Sequence, residues 1–317
     1  MTTTPTRLRA LGATAAAIAL LALTACAGSG SPAETAAAPV NLKAAGTSGV
    51  LANVLVSDDV GSAPQVTVGE LNGLGDEVEY ATTVEGDGAA ITPDDVLLID
   101  LVVIDGQTKQ EQTPYATLGQ PITLSSPDTI PFFVDVFDGV PSGSRVVAVV
   151  PGAVLEPGST SPVAPVVMVA DVRTTPTVAW GTPAEPTQQL VQVSEGADGA
   201  PTVTIAEGAQ APTDLVLDTI RTGDGAVVAD GDSVVVQYTG LLFTDGTVFD
   251  TSWDRGLPSQ FATGNVVDGF RQALVGQTEG SRVIAIVPPS LGYGEQEQTG
   301  IPAGSTLVFV VDVLAIA

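Results

Sequence analysis

This 317-residue chain has no histidine and only one cysteine, Cys26. Without an imidazole there can be no Ser-His-Asp or Cys-His catalysis, and the usual zinc sites are excluded. A lone thiol forms no intrachain disulfide and no thiolate metal cluster. Basic residues are also scarce: 10 Lys and Arg stand against 36 Asp and Glu, for a formal net charge of -26. Such a surface repels phosphate backbones and argues against a nucleic-acid partner. It favours solubility and basic or neutral partners without specifying one. Aromatic residues make up only 4% of the chain, so each one that falls in a motif is informative.

Glycine (35) and proline (23) are plentiful, and Val and Thr dominate the apolar runs. Short strands and turns are therefore expected over long helices. The length suggests about two domains.

The N-terminus carries Arg7 and Arg9, then an apolar stretch from Leu11 to Leu23, then Thr24-Ala25-Cys26. The stretch is short for a membrane span and has the layout of a secretory signal. Small residues before a cysteine resemble the bacterial lipobox. Residues 1–25 are thus expected as a lipoprotein signal peptide, with Cys26 as the lipidated residue. An ordinary signal peptide with a chance cysteine is the alternative. Residues 26–47, rich in Ala, Gly, Ser, Pro and Thr, are expected as a flexible tether. The chain would then be extracytoplasmic and anchored to the cell membrane through lipid on Cys26.

An internal repeat follows. Ala63-Pro64-Gln65-Val66-Thr67-Val68 matches Ala200-Pro201-Thr202-Val203-Thr204-Ile205, and Gly86-Asp87-Gly88 matches Gly223-Asp224-Gly225. The run from Gly143 to Pro151 matches that from Gly280 to Pro288 at the same offset of 137. Val166–Val172 matches Leu307–Val313 with four extra residues in the second copy. Two tandem domains are expected, at 48–175 and 196–317, joined by a proline-rich linker at 176–195. Each is expected to be α+β: an antiparallel sheet wrapped on one short helix. In the second copy Val234–Tyr238, Arg282–Val287 and Thr306–Leu314 are strand-like, and Asp245-Gly246 is a turn signal. Val267–Leu274 is helical, with Phe270 and Leu274 on one face.

Three stretches of the second copy carry a resemblance: VVVQYTGLLFTDGTVFDTSWDRG (Val234 to Gly256), GNVVDGFRQALVGQTEGSRVIAIVPPSLGYG (Gly264 to Gly294) and IPAGSTLVFVVDVL (Ile301 to Leu314). In this order and spacing they resemble the FKBP-type peptidyl-prolyl cis-trans isomerases. The resemblance implies a pocket. Tyr238 matches its tyrosine, Phe249 and Asp250 its Phe-Asp pair, and Arg255 the arginine that holds the aspartate. Val266 and Val267 match a Val-Ile pair whose second member offers its backbone N–H to a ligand. Phe270 stands where Trp is usual at the pocket floor. Tyr293 matches the flap tyrosine, and Ile301 and Phe309 the remaining apolar wall. Ser259 stands where a wall Phe is common, and the flap (residues 294–300) is acidic and one residue short. These departures leave the core pocket intact and put substrate preference and tight macrolide binding in doubt.

The implied reaction is rotation about an Xaa-Pro amide against a barrier of ~18–20 kcal/mol. The barrier is lost resonance, so no nucleophile, metal or cofactor is called for. The substrates would be proline-containing polypeptides of exported proteins. At the same offset the first copy has Leu101 for Tyr238, no Phe-Asp pair and no flap tyrosine, though Phe133 matches Phe270. It is expected to be a non-catalytic, degenerate FKBP-like domain. The alternative for the whole chain is a non-catalytic peptide- or protein-binding surface lipoprotein with a chaperone-like role.

Overall fold

Runs of Val, Ile and Thr bounded by Gly, Pro and Asp form strands, because β-branched side chains suit a pleated, packed surface. The computed structural model describes residues 42–317. The expected signal peptide, the Cys26 lipidation site and most of the expected tether lie outside the described residues.

In the first half, β1 (Lys43–Ala44), β2 (Val54–Val56) and β3 (Val66–Val68) form a small antiparallel sheet. A larger one contains β4 (Glu79–Val84), β5 (Leu97–Asp105), β6 (Glu111–Thr117), β7 (Ser144–Val150) and β8 (Val166–Thr174), in the order β4-β7-β8-β5-β6. Two short helices accompany it, α1 (Pro131–Phe137) and α2 (Gly152–Leu155).

The second half contains β9 (Thr182–Pro183), β10 (Val191–Glu195), β11 (Pro201–Ile205), β12 (Val216–Thr222), β13 (Ser233–Leu242), β14 (Val248–Thr251) and β15 (Ser259–Ala262). After α3 (Asp268–Leu274) come β16 (Arg282–Val287) and β17 (Leu307–Ile316). Its main sheet runs β14-β13-β17-β16-β12-β9, with β15 also paired to β13, and β10 and β11 form a separate hairpin. Apart from β9 and β15, this order matches that of the first half. The registers match too: Leu101 faces Ala170 across β5 and β8, and Tyr238 faces Val311 across β13 and β17.

Both faces of the second sheet are covered, which explains its uninterrupted apolar runs. Val234, Val236 and Tyr238 of β13 alternate onto the helix side, where they pack with Phe270 and Leu274 of α3. Leu241, Ile284, Ile286, Val308 and Val310 face the other way and are covered by Val191, Val193, Val203 and Ile205 of the hairpin. In the first half, β2 and β3 cover Val147, Val149, Val167 and Val169 in the same manner.

This hairpin layer departs from the expected domain boundaries. Residues 176–195 are not a plain linker: β9 pairs with β12, and β10 pairs with β11 in the hairpin. The ordered second half therefore begins before residue 196. Proline-rich composition suggested a connector, but burial of Val191 against the sheet orders the chain there. Likewise β1 lies within the last residues expected as tether.

One buried ion pair occurs in each half. Arg145 Nε and Nη2 reach the Asp171 carboxylate at 2.6 and 2.7 Å, and Arg282 Nε and Nη2 reach Asp312 at 2.5 and 2.7 Å. Each arginine also ties down the covering layer. Arg145 donates to the Ser57, Asp59 and Ser62 carbonyls, and Arg282 to Glu195 and the Gly199 carbonyl.

Candidate active site

A pocket of about 280 Å³ opens between α3, the concave face of the sheet and the loop after β16. It is lined by Tyr238, Phe249, Asp250, Phe261, Asn265, Val266, Val267, Phe270, Tyr293 and Phe309. Alternation along β13 and β17 aims Tyr238 and Phe309 at the helix side. Phe270, on the first turn of α3, forms the floor beneath them.

The aromatic rings meet edge to face. Phe270 contacts Phe309 at 4.9 Å, Phe261 at 5.7 Å and Tyr238 at 6.1 Å between centroids, and Phe249 meets Phe309 at 5.8 Å. Such pairs contribute about 0.5–1.5 kcal/mol each beyond their burial. They give the pocket a stiff, water-poor wall.

One edge is polar. The Tyr238 hydroxyl donates to Asp250 Oδ2. Arg255 Nη1 reaches Asp250 Oδ1 at 2.8 Å, while Nη2 donates to the Tyr238 hydroxyl at 3.0 Å and to Ser259 Oγ at 3.1 Å. Burial, helped by the bond to Asp250, pushes the Tyr238 phenol up to about 12. For Asp250, burial works to raise the pKa, but the hydrogen bonds from Tyr238 and Arg255 outweigh it and hold the carboxyl below its ordinary value. Asp250 and Arg255 are each about half exposed (44% and 49%), so the pair itself adds less than about 1 kcal/mol of stability. Its effect is orientation: the carboxylate is held at the pocket mouth beside Tyr238.

Two donors at the mouth have no hydrogen-bond partner among the described residues: the Val267 backbone N–H, just before α3, and the Tyr293 hydroxyl. Tyr293 is 36% exposed. Both are free to bind a ligand carbonyl.

Eight of the ten residues expected in the second copy line this site. Arg255 acts from just outside the lining through Asp250. Ile301 is buried behind the wall, where its backbone closes the flap by a reciprocal pair of bonds with Gln298 at 2.9 and 3.0 Å. Phe261 and Asn265 were missed. Phe261 was legible from period-two alternation, since it lies two residues beyond Ser259 on the same face of β15. A larger depression of about 620 Å³ lies between the β10–β11 hairpin and the β13–β14 turn. Its one charged group, Asp245, is engaged by the Thr247 N–H, and no set of side-chain donors converges there.

At the equivalent place in the first half, Leu101, Val103, Leu118, Ile122, Val154 and Leu155 belong to the cluster around Phe133. Aliphatic side chains stand where the second half has Tyr238, Phe261 and its flap.

Comparison with known proteins places this geometry in a family. Residues 225–314 match the model of a family described as FKBP-type peptidyl-prolyl cis-trans isomerase. Over 113 residues the chain is 41% identical to an FK506-binding protein of Streptomyces anulatus, covering 34% of this chain and 91% of that protein. The chain belongs to the FKBP-type peptidyl-prolyl cis-trans isomerases. It is also 41% identical over 106 residues to a probable FK506-binding protein of Corynebacterium glutamicum, covering 33% of this chain and 89% of that one. To the FKBP-type isomerase FkpA of Escherichia coli it is 40% identical over 102 residues, 32% of this chain and 37% of the relative. The FKBP match falls wholly within the second half and spans the whole pocket, from Tyr238 to Phe309.

Proposed function

We propose that the second half is a prolyl isomerase acting on exported proteins at the cell surface, carried on a chain anchored by lipid at Cys26. The observation that carries the catalytic reading is the coincidence in one pocket of an aromatic floor, an oriented carboxylate and two unpartnered donors. A catalyst of amide rotation must bind the twisted amide better than the planar one. In the twisted state the carbonyl loses polarity, so a water-poor aromatic pocket favours it over bulk water. Phe249, Phe270, Phe309 and Val266 hold the proline ring. The Val267 N–H and Tyr293 hydroxyl fix the flanking carbonyls. Asp250, oriented by Tyr238 and Arg255, sets the field at the rotating amide.

The export role rests on the N-terminal sequence and on need. Xaa-Pro isomerisation takes tens to hundreds of seconds uncatalysed and can limit folding. The first half, in this reading, is a second FKBP-like copy that has lost its pocket and serves as a binding or bracing module. Its matching strand order, register and buried Arg–Asp pair support common descent. The aliphatic filling around Phe133 argues against turnover there.

The test is NMR exchange of a Leu-Pro or Phe-Pro peptide with catalytic amounts of the chain. Acceleration that falls sharply in Asp250→Ala and Phe270→Ala is expected. A folded chain with no acceleration would favour the rival reading, a peptide-binding surface lipoprotein.

A further inference from the structure

The two halves touch beside the catalytic wall. Strand β15 has four residues and pairs only with β13. Its Ser259 and Phe261 lie on one face. Ser259 Oγ accepts from Arg255 at 3.1 Å, and Phe261 packs edge to face on Tyr238 (5.5 Å) and Phe270 (5.7 Å). One short strand thus positions both the polar edge and the aromatic wall. A four-residue strand paired on one side is a weak support, since its outer N–H and C=O lack ladder partners.

That outer edge is occupied by the first half. Gln120 Nε2 donates to the Gln260 carbonyl at 3.1 Å, and the Gln260 N–H donates to Gln120 Oε1 at 2.8 Å. The side-chain amide pairs with the backbone as a neighbouring strand would. Its orientation is dictated, because the backbone N–H needs the oxygen and the carbonyl needs the NH2. Gln120 lies three residues beyond the end of β6, and Gly119, at φ +40°, turns the chain to present it. The seam beside it is packed: Leu98 of β5 is buried with Val235, Leu314 and Ala315 of the second half. Arg173 Nη2 adds a bond to the Ile316 carbonyl at 3.2 Å. The outer edge of β15 is therefore held by a braced neighbour.

The geometry points to Gln120 as a positioning residue for the isomerase pocket. From the non-catalytic half it completes the open edge of β15 and holds Phe261 and Ser259 in place. This rests on the reading of the pocket as the isomerase site. The first half then serves the reaction without a pocket of its own, as an internal brace on its neighbour.

The test compares Gln120→Ala with Arg173→Ala in the full chain. Arg173→Ala removes a bond at the same seam without touching β15. In Gln120→Ala, kcat/KM for a proline peptide falls about threefold to tenfold, the scale of one or two partly exposed hydrogen bonds. The loss lies in KM, because Phe261 backs Phe270 and Tyr238 of the wall that holds the proline in ground state and transition state alike. Amide exchange at Phe261 quickens, and Arg173→Ala changes neither quantity. Loss of folded protein alone would lower apparent kcat and leave KM as it was. Unchanged kcat/KM in Gln120→Ala, a loss confined to kcat, or an equal loss in Arg173→Ala would overturn the proposal. An inactive parent chain would instead refute the isomerase reading itself.

Discussion

Gly240 lies directly beneath Phe249: a Cβ added at Gly240 would come within 2.6 Å of Phe249 Cζ and 3.1 Å of Phe309 Cε1. The glycine makes room for the ring pair that closes one side of the pocket. The first half has Val103 at the equivalent position, packed against its own core.

Gly240→Val should therefore push Phe249 off the wall. Overpacking of this kind costs about 1–3 kcal/mol of stability. Peptide isomerisation should drop by about tenfold or more, a barrier change near 1.4 kcal/mol. Thermal unfolding together with exchange spectroscopy would check both.

Tyr238→Phe keeps the ring stack but removes the hydroxyl that Asp250 and Arg255 share. Loss of a hydrogen bond to a charged group is worth about 1.5–3 kcal/mol. The Asp250 pKa should rise toward its ordinary value, and kcat/KM should fall by about tenfold. Carboxyl titration by NMR reads the first, and peptide exchange the second.

The pH profile follows from the two displaced groups. Asp250 has its pKa lowered from 3.8, so its contribution to stability is present above 3.8 and lost as pH falls through the lower folded value. Tyr238 has its pKa raised from 10.0 to about 12, so its contribution is present below 10.0 and lost as pH rises toward 12. Neither window reaches neutrality. The isomerisation rate should be flat from about pH 5 to pH 9. A limb near pH 7 would require a group outside this pocket.

Arg282→Ala leaves Asp312 (1% exposed) as a buried carboxylate without its guanidinium, and it removes the bonds to Glu195 and the Gly199 carbonyl that help tie the hairpin to the sheet. Breaking one side of such a pair costs about 3–5 kcal/mol. Denaturant unfolding should show that loss, and a similar one for Arg145→Ala in the first half. Arg282→Met with Asp312→Leu should recover much of the stability, because no lone charge remains buried.

The pocket residues could be read directly from the chain because they sit in ordered local motifs. Tyr238, Phe249-Asp250, Arg255 and Val266-Val267 follow one another in the order of the family motif; strand alternation by itself places only Tyr238 of this set. The repeat offset likewise assigns Leu101 to the place of Tyr238, and the two sheet registers agree with that assignment. Phe261 lies between the motif stretches, on a four-residue strand whose pairing with β13 is a tertiary contact.

The sequence by itself determined the internal repeat at an offset of 137, the strand-rich character and the short helix, since periodicity is local; most of the pocket lining was legible through the ordered motifs that resemble the FKBP family. Only the tertiary structure decided the rest. The stretch expected as a linker ends in the hairpin strand β10, ordered by Val191, which is buried against a sheet face. Arg282 found Asp312 across a strand pair, and Gln120 met Gln260 140 residues away. Such contacts depend on which surfaces come together in space, and no local pattern in the chain records that.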